Sequence, residues 1–305
     1  MIASILGLSG EVDIVRGCGK AGVLYTEVPC GAVDLMEPMI LRLGYEIEFE
    51  IPAPVAMVAL LNVHPSRVAD LRAPDELIVE PATPVESFLD SFGNRCLRFV
   101  APQGVLRLSN STLLHDAGAL DEVNWGAQEV LVQDLPHEAL RYLYNSRYCE
   151  VDRFSTIALE LFGGIAPGWS RVQAVCDWVH GKVSFGYQYA RPTKSALDVY
   201  TERFGVCRDF QHLAVTMCRA LNIPARYATG YLGDIGVPKS LDAMDFSAWF
   251  EVYLDGRWWT FDARNNKPRL GRVLMAVGRD ASDVAMTTSF GVANLRGFRV
   301  VSEVV

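Results

Sequence analysis

The sequence lacks the features that mark several broad classes of protein. Its longest apolar runs fall far short of the roughly 20 residues that a membrane-spanning helix needs. Its start has early acidic residues and no basic stretch before an apolar one, which argues against a cleavable export signal. An excess of basic residues is also lacking, because the formal net charge is −8. We therefore expect a cytoplasmic protein without nucleic-acid or membrane partners.

Closely spaced cysteines and phosphate-binding loops are missing too. The seven cysteines are odd in number, widely scattered and never arranged as Cys-x-x-Cys, which argues against a disulfide framework and a structural zinc site. No glycine-rich phosphate loop of known spacing occurs, so nucleotide binding is unsupported. We expect most thiols to be reduced and buried, and we expect no cofactor.

The composition is that of a globular chain with a sizeable core. Half of the 305 residues are hydrophobic and 21% are charged, and the length favours two domains. Residues 1–38 stand apart, because glycines interrupt every period there. They are either a loosely packed arm or an upstream extension of a protein whose translation begins at Met39.

A β pattern begins at Met39. Apolar and polar residues alternate from Ile40 to Phe49, and further short strands follow at regular spacing as far as Leu114. This spacing predicts a β-sandwich-like domain over residues 39–130. The periodicity lapses over 121–136, which is the candidate linker.

Helical patterns take over after the lapse, and residues 131–305 are expected to form an α+β core domain. Helices are predicted over 136–144, 153–162, 169–183, 195–204 and from 207 onward. Strands are predicted over 227–232, 248–254, 257–261, 273–277, 285–288 and 298–304. Asp255-Gly256 is a strong hairpin signal, and the polar, turn-rich stretch 233–244 is a candidate active-site loop.

Cys207 follows a glycine turn and opens the most strongly patterned of these helices. The positive end of the helix dipole favours a thiolate over a thiol at this position. A small buried cysteine is an equally good interpretation of the segment alone. Four residues of types that bind metals lie close together here. Because they lie on one helix, their side chains cannot converge on one ion, so we predict no metal site. They are Cys207, Asp209, His212 and Cys218.

A cysteine nucleophile needs a base that takes its proton and an acid that orients the base. Asp262 directly follows the aromatic strand 257–261, which places a carboxylate at the end of a sheet. The predicted hairpin brings the region of residue 247 close to it. The residue found there is Ser247 rather than a histidine.

Three motifs, in this order, resemble the bacterial transglutaminase-like superfamily, which is related to eukaryotic transglutaminases and cysteine proteases. The β-rich region 39–114 and two short downstream segments extend the resemblance over nearly everything after residue 38. The motifs are Gly205-Val-Cys-Arg-Asp-Phe210, Leu221-Asn-Ile-Pro-Ala-Arg-Tyr-Ala-Thr-Gly-Tyr231, and Asp245-Phe-Ser-Ala-Trp-Phe-Glu-Val-Tyr253 followed by Trp259-Thr-Phe-Asp262.

The resemblance implies a papain-like core, with the Cys207 helix packed on an antiparallel sheet, and a Cys-His-Asp triad. It assigns Cys207 as the nucleophile and Asp262 as the orienting acid, while Ser247 occupies the position of the histidine. It implies an amide-bearing peptide or protein substrate, which is hydrolysed or transferred through a Cys207 thioester. Backbone amides at the start of the helix would stabilise the oxyanion. Candidate substrate contacts, for which core packing is the alternative, are Trp249, Tyr231 and Trp258.

The serine is a serious departure, because a hydroxyl has no proton affinity near neutral pH and cannot replace imidazole as base or acid. Four interpretations stay open. Another histidine enters the site, of which His212 is the nearest in sequence. The helix dipole and Arg208 sustain a thiolate that reacts slowly. The protein is a degenerate enzyme, kept as a module that binds peptide or protein. Ser247 is an engineered or erroneous substitution.

Overall fold

The computed structural model describes residues 37–240 and 243–305. The two interpretations of segment 1–38 therefore fall almost entirely outside the described residues. Within the described ranges, no helix is long and apolar enough to cross a membrane.

Strands dominate the N-terminal and C-terminal parts of the described chain, and helices dominate its middle. The strands are β1 (Met39–Ile51), β2 (Val55–Ala59), β3 (Ile78–Glu80), β4 (Glu86–Leu89), β5 (Arg95–Ala101), β6 (Gly104–Asp116), β7 (Ser184–Phe185), β8 (Phe204–Gly205), β9 (Ala225–Leu232), β10 (Ser247–Leu254), β11 (Arg257–Phe261), β12 (Arg272–Gly278), β13 (Thr287–Ser289) and β14 (Asn294–Val304). The α-helices are α1 (His137–Leu140), α2 (Ser155–Phe162), α3 (Trp169–Lys182), α4 (Ala196–Glu202) and α5 (Cys207–Ala220).

Two four-stranded antiparallel sheets form the sandwich. Their strand orders are β14-β1-β6-β3 and β13-β2-β5-β4. Alternate residues of β1 point inward, as the sequence predicts, and Leu41, Leu43 and Ile47 are fully buried between the sheets. Because successive side chains of a strand point to opposite faces of the sheet, one face of each strand lies in this shared core.

The last two strands of the chain pair with strands of the sandwich, although they follow the boundary predicted at residue 131. β14 pairs with β1 over ten positions, and β13 pairs with β2. The sequence analysis assigned both strands to the core domain. Pairing with β14 satisfies the backbone N–H and C=O groups along the edge of β1 that does not face β6. The same pairing buries the side chains of Val300 and Ser302.

The core consists of α5 packed on an antiparallel sheet of order β11-β10-β9-β12. Asp255 and Gly256 join β10 to β11 with φ values of +47° and +80°, which matches the predicted hairpin turn. Every residue of α5 from Arg208 to Arg219 is buried. Only the first residue of the helix, Cys207, opens onto a cavity. The predicted α+β fold class and the position of Cys207 at a helix start are both confirmed.

Candidate active site

The start of α5 is held in place by its own first turn. Gly205 is required here, because a Cβ at this position would lie 2.6 Å from the Cβ of Asp209. The Asp209 carboxylate accepts a hydrogen bond from the backbone N–H of Val206 at 2.9 Å, which satisfies one of the free donors of the helix end. These contacts place Cys207 at the first helical position.

The Cys207 thiol lies in the wall of a cavity of about 610 Å³. It is partly exposed, whereas the other four cysteines of the described residues are buried. Burial raises its pKa above the ordinary value, the charge of Asp245 acts in the same direction, and Arg264 acts in the opposite one. The pKa of Cys207 therefore lies above the ordinary thiol value, and the neutral thiol predominates at neutral pH.

Arg208 does not supply the positive charge that the sequence analysis considered for a thiolate. Its guanidinium pairs with Asp209 at 3.0 Å and donates to the backbone carbonyl of Arg191 at 2.6 Å. It also lies over the ring of Tyr148. Because these partners occupy it, Arg208 stabilises the helix start rather than the sulfur of Cys207.

Asp262 is buried directly after β11 and is surrounded by donors. Its Oδ1 accepts from Gln211 Nε2 and from the backbone N–H groups of Arg264 and Asn265, each at 3.0 Å. Its Oδ2 accepts from Asn265 Nδ2 at 2.8 Å and Arg272 Nη2 at 2.9 Å. Burial opposes ionisation, but Arg272 and Asn265 outweigh it and lower the pKa of Asp262. The carboxylate is therefore ionised, with Arg272 as its counterion.

Gln211 connects the helix to both strands of the hairpin. It lies one turn below Cys207, and its Nε2 donates to the carbonyl of Ala248 at 3.1 Å as well as to Asp262. Its Oε1 accepts from the backbone N–H of Ala263 at 3.1 Å. Both the amide nitrogen and the amide oxygen of the side chain are therefore engaged in holding α5, β10 and the end of β11 together.

Ser247 is the first residue of β10, where it pairs with Gly230 of β9. It lines the same cavity as Cys207. Asp262 does not line this cavity, but it accepts hydrogen bonds from two residues that do, Arg264 and Asn265. The structure therefore brings Cys207 and Ser247 to one cavity and places Asp262 behind them.

All five histidines of the chain lie within residues 37–240 and 243–305, and none lines the Cys207 cavity. His212 is fully buried on α5, stacks on the ring of Tyr148, and accepts at Nε2 from the backbone N–H of Ala281 at 3.1 Å. Burial lowers the pKa of His212 to about 3. It is a neutral packing residue. The structure therefore does not support the interpretation that another histidine replaces the missing base.

The aromatic residues proposed from sequence as substrate contacts lie away from the cavity. Trp249 and Tyr231 are 2% and 1% exposed, and Trp258 packs edge-on against Tyr142 at 5.2 Å between ring centroids. This placement favours the packing interpretation for the three rings. The rings that do line the cavity are Phe185, Tyr187 and Phe246.

Sequence reasoning also missed the basic residues around Asp262. Arg264 and Arg269 line the Cys207 cavity, and Arg272 holds Asp262. The available signal was the run of basic residues directly after Asp262, four within 264–272. Across the described part of the chain, no three side chains of the metal-ligating types come together.

Comparisons with known proteins identify the family to which this fold belongs. A model of the transglutaminase-like superfamily matches residues 155–263, the range that holds Cys207, Ser247 and Asp262. The crystal structure of a putative cysteine protease from Cytophaga hutchinsonii is similar with a TM-score of 0.77 and 32% sequence identity, over 88% of this chain and 92% of that one. An uncharacterized protein from Mycobacterium leprae is 27% identical over 216 residues, which cover 67% of this chain and 75% of the relative.

Proposed function

Because the chain belongs to the transglutaminase-like superfamily, we propose that it binds an amide-bearing peptide or protein in the cavity at Cys207, and that its chemistry on that amide is impaired for lack of an imidazole. One observation carries the proposal. Cys207 and Asp262 are held in a shared framework by Gln211, while Ser247 stands in the cavity where a base is needed.

The missing imidazole affects two steps of acyl transfer. Attack by the Cys207 sulfur on an amide carbonyl requires loss of the thiol proton, and the raised pKa of Cys207 makes that loss unfavourable at neutral pH. Departure of the amine requires a proton at nitrogen, and the Ser247 hydroxyl is far too weak an acid and base to provide one. Formation and breakdown of a thioester are both slowed, whether the acyl group passes to water or to an amine.

The ion pair between Asp262 and Arg272 favours the form of this proposal in which the protein binds the peptide without cleaving it. In the triad scheme, the carboxylate orients an imidazole and stabilises it as a cation. Here Arg272 already provides a buried cation at 2.9 Å from Asp262. The acid is therefore electrostatically satisfied without a histidine.

The proposal is tested by measuring binding and turnover in the same samples. The protein is incubated with libraries of acetylated hexapeptide amides, and alkylation of Cys207 by iodoacetamide is followed by peptide mapping. Products of hydrolysis are followed in parallel. We expect peptides to protect Cys207 while hydrolysis stays at the level of a Cys207→Ala control. Rapid Cys207-dependent hydrolysis would overturn the impairment, and absence of protection by any library would overturn the binding.

A further inference from the structure

Two arginines in the wall of the Cys207 cavity have no carboxylate partner among the described residues. Arg264 and Arg269 both line the cavity, and no carboxylate oxygen described lies within 4.0 Å of either guanidinium. Arg264 donates to the amide oxygen of Asn265 at 3.2 Å and lies 4.0 Å over the ring of Phe185. Its cation is therefore supported only by neutral groups.

Arg269 is the more deeply buried of the two arginines, with only 7% of its surface exposed. It donates to the Asn265 side chain at 3.2 Å and to the carbonyl of Gly233 at 2.9 Å, while its Nε has no hydrogen-bond partner. Buried donors are nearly always paired, and a buried charge normally has a counterion. Nearby Arg272 also has one unpaired donor, Nη1, but it has counterions in Asp121 and Asp262. What distinguishes Arg269 is therefore that it has both an unpaired donor and no carboxylate in contact.

The acidic residues of the same cavity are already engaged. Asp234 accepts from the backbone N–H of Ser240 at 2.7 Å, Glu303 pairs with Arg42, and Asp245 also has a partner. None of them neutralises the two arginines within ion-pair distance. The two guanidinium groups therefore have no carboxylate in contact, although acidic side chains lie in the same cavity wall.

A third positive feature opens onto the same space. Cys207 is the first residue of α5, so the positive end of a 14-residue helix lies at the cavity wall. A helix end alone does not make an anion-binding site. Here it adds to two guanidinium groups, one of which is buried with an unpaired donor.

We propose that the Cys207 cavity selects peptides that carry a carboxylate, which Arg269 and Arg264 bind. This inference rests on the proposed function, because it names the class of peptide that the cavity takes. The carboxylate can belong to a glutamate or aspartate side chain or to a free C-terminus. Guanidinium groups bind either one through paired N–H donors, and such charge-assisted bonds are about twice as strong as neutral ones.

Three hexapeptide libraries distinguish the two sources. All are N-acetylated and otherwise identical, with one fixed position that is Gln with a C-terminal amide, Glu with a C-terminal amide, or Gln with a free C-terminal carboxylate. Protection of Cys207 from iodoacetamide measures binding of each. We expect the half-protecting concentration of one carboxylate library to be at least tenfold lower than that of the neutral library. We also expect the advantage to shrink as salt is raised.

Matched variants assign the effect to the two arginines. Arg264→Gln and Arg269→Gln should each remove most of the carboxylate advantage. Arg257→Gln should keep it, because Arg257 is exposed, pairs with Glu122 and does not line the cavity. Thermal unfolding checks that each variant is folded. If Arg269→Gln does not fold, Arg264→Gln decides alone.

The outcomes separate this inference from the proposed function. Equal protection by neutral and acidic libraries, or an advantage that survives both cavity substitutions, overturns the selection of carboxylates and leaves peptide binding intact. Absence of protection by all three libraries overturns peptide binding, and the inference with it.

Discussion

Arg272 Nη2 lies 2.9 Å from Asp262 Oδ2, and both side chains are buried. On its other side, Arg272 Nε donates to Asp121 at 2.8 Å. The arginine thus links the end of β11, the start of β12 and the segment that joins the sandwich to the core. This pairing explains how the acid of the candidate site stays ionised in a protein that offers it no imidazole.

Replacing Arg272 should therefore destabilise the protein strongly. Arg272→Gln leaves Asp121 and Asp262 buried without their cation, and breaking a buried pair in this way costs about 3–5 kcal/mol. Chemical denaturation measures the change in the free energy of unfolding. Arg257→Gln, which breaks an exposed pair with Glu122, should cost less than about 1 kcal/mol. Equal effects of the two substitutions would show that Arg272 has no special structural role.

Gln211 should be intolerant of an apolar replacement of similar size. Gln211→Leu removes the partners of the Ala248 carbonyl, the Ala263 N–H and the Asp262 carboxylate. Each unsatisfied buried group costs about 1–3 kcal/mol, so we expect a loss of at least about 2 kcal/mol. Gln173→Leu on the half-buried face of α3 is the matched control, and a loss as large there would contradict the role given to Gln211.

Alkylation of Cys207 should report a pKa above the ordinary thiol value of 9.0. Since the thiolate is the reactive form, the rate should still be rising with pH at 9. Arg264→Gln should move the profile to higher pH, because its cation favours the thiolate, and Asp245→Asn should move it to lower pH. A midpoint below pH 8 in the unmodified protein would contradict the desolvated environment described for the sulfur.

Buried His212 should make the fold sensitive to mild acid. Its folded-state pKa is about 3, against an ordinary value of 6.5, so below pH 6.5 the unfolded chain binds a proton that the folded chain does not. The stability that the neutral ring contributes is complete above pH 6.5 and is lost as the pH falls towards 3. The slope reaches about 1.4 kcal/mol per pH unit.

The measurement is the free energy of unfolding between about pH 5 and 6.5, a range that lies above the titration of ordinary carboxylates. His212→Gln should reduce the slope of this part of the curve, whatever its effect on absolute stability, and His64, whose pKa is also lowered by burial, contributes to the remainder. His137→Gln, at an exposed position of α1, should leave the slope unchanged. A slope in His212→Gln as steep as that of the unmodified protein would assign the acid sensitivity to another group.

Local patterns were sufficient to predict the elements that build the site. The glycine turn before Cys207, the apolar period of α5 and the Asp255-Gly256 hairpin all produce the structure that their residue types favour. The β1 pattern likewise predicts a strand that is buried on one face. Each of these signals lies within a short stretch of sequence, so no knowledge of distant contacts is needed.

The contacts that decide the chemistry come from distant parts of the chain. Arg272 meets Asp121 across 151 positions, and Arg269 reaches the carbonyl of Gly233 across 36. No periodicity records such pairs. The return of β14 to β1 is missed for the same reason, because a strand pattern shows that a strand forms but not which edge it joins.

The missing imidazole is what most limits the chemistry at Cys207. The most direct measurement is Cys207-dependent hydrolysis of the peptide libraries by Ser247→His, compared with the unmodified protein. Ser240→His, which places an imidazole elsewhere in the same cavity wall, serves as the matched control. We expect hydrolysis to increase about 100-fold or more in Ser247→His, and to disappear in Ser247→His combined with Cys207→Ala. Folded Ser247→His that hydrolyses no faster than the unmodified protein, with a Cys207 thiol that remains unreactive, would contradict the account.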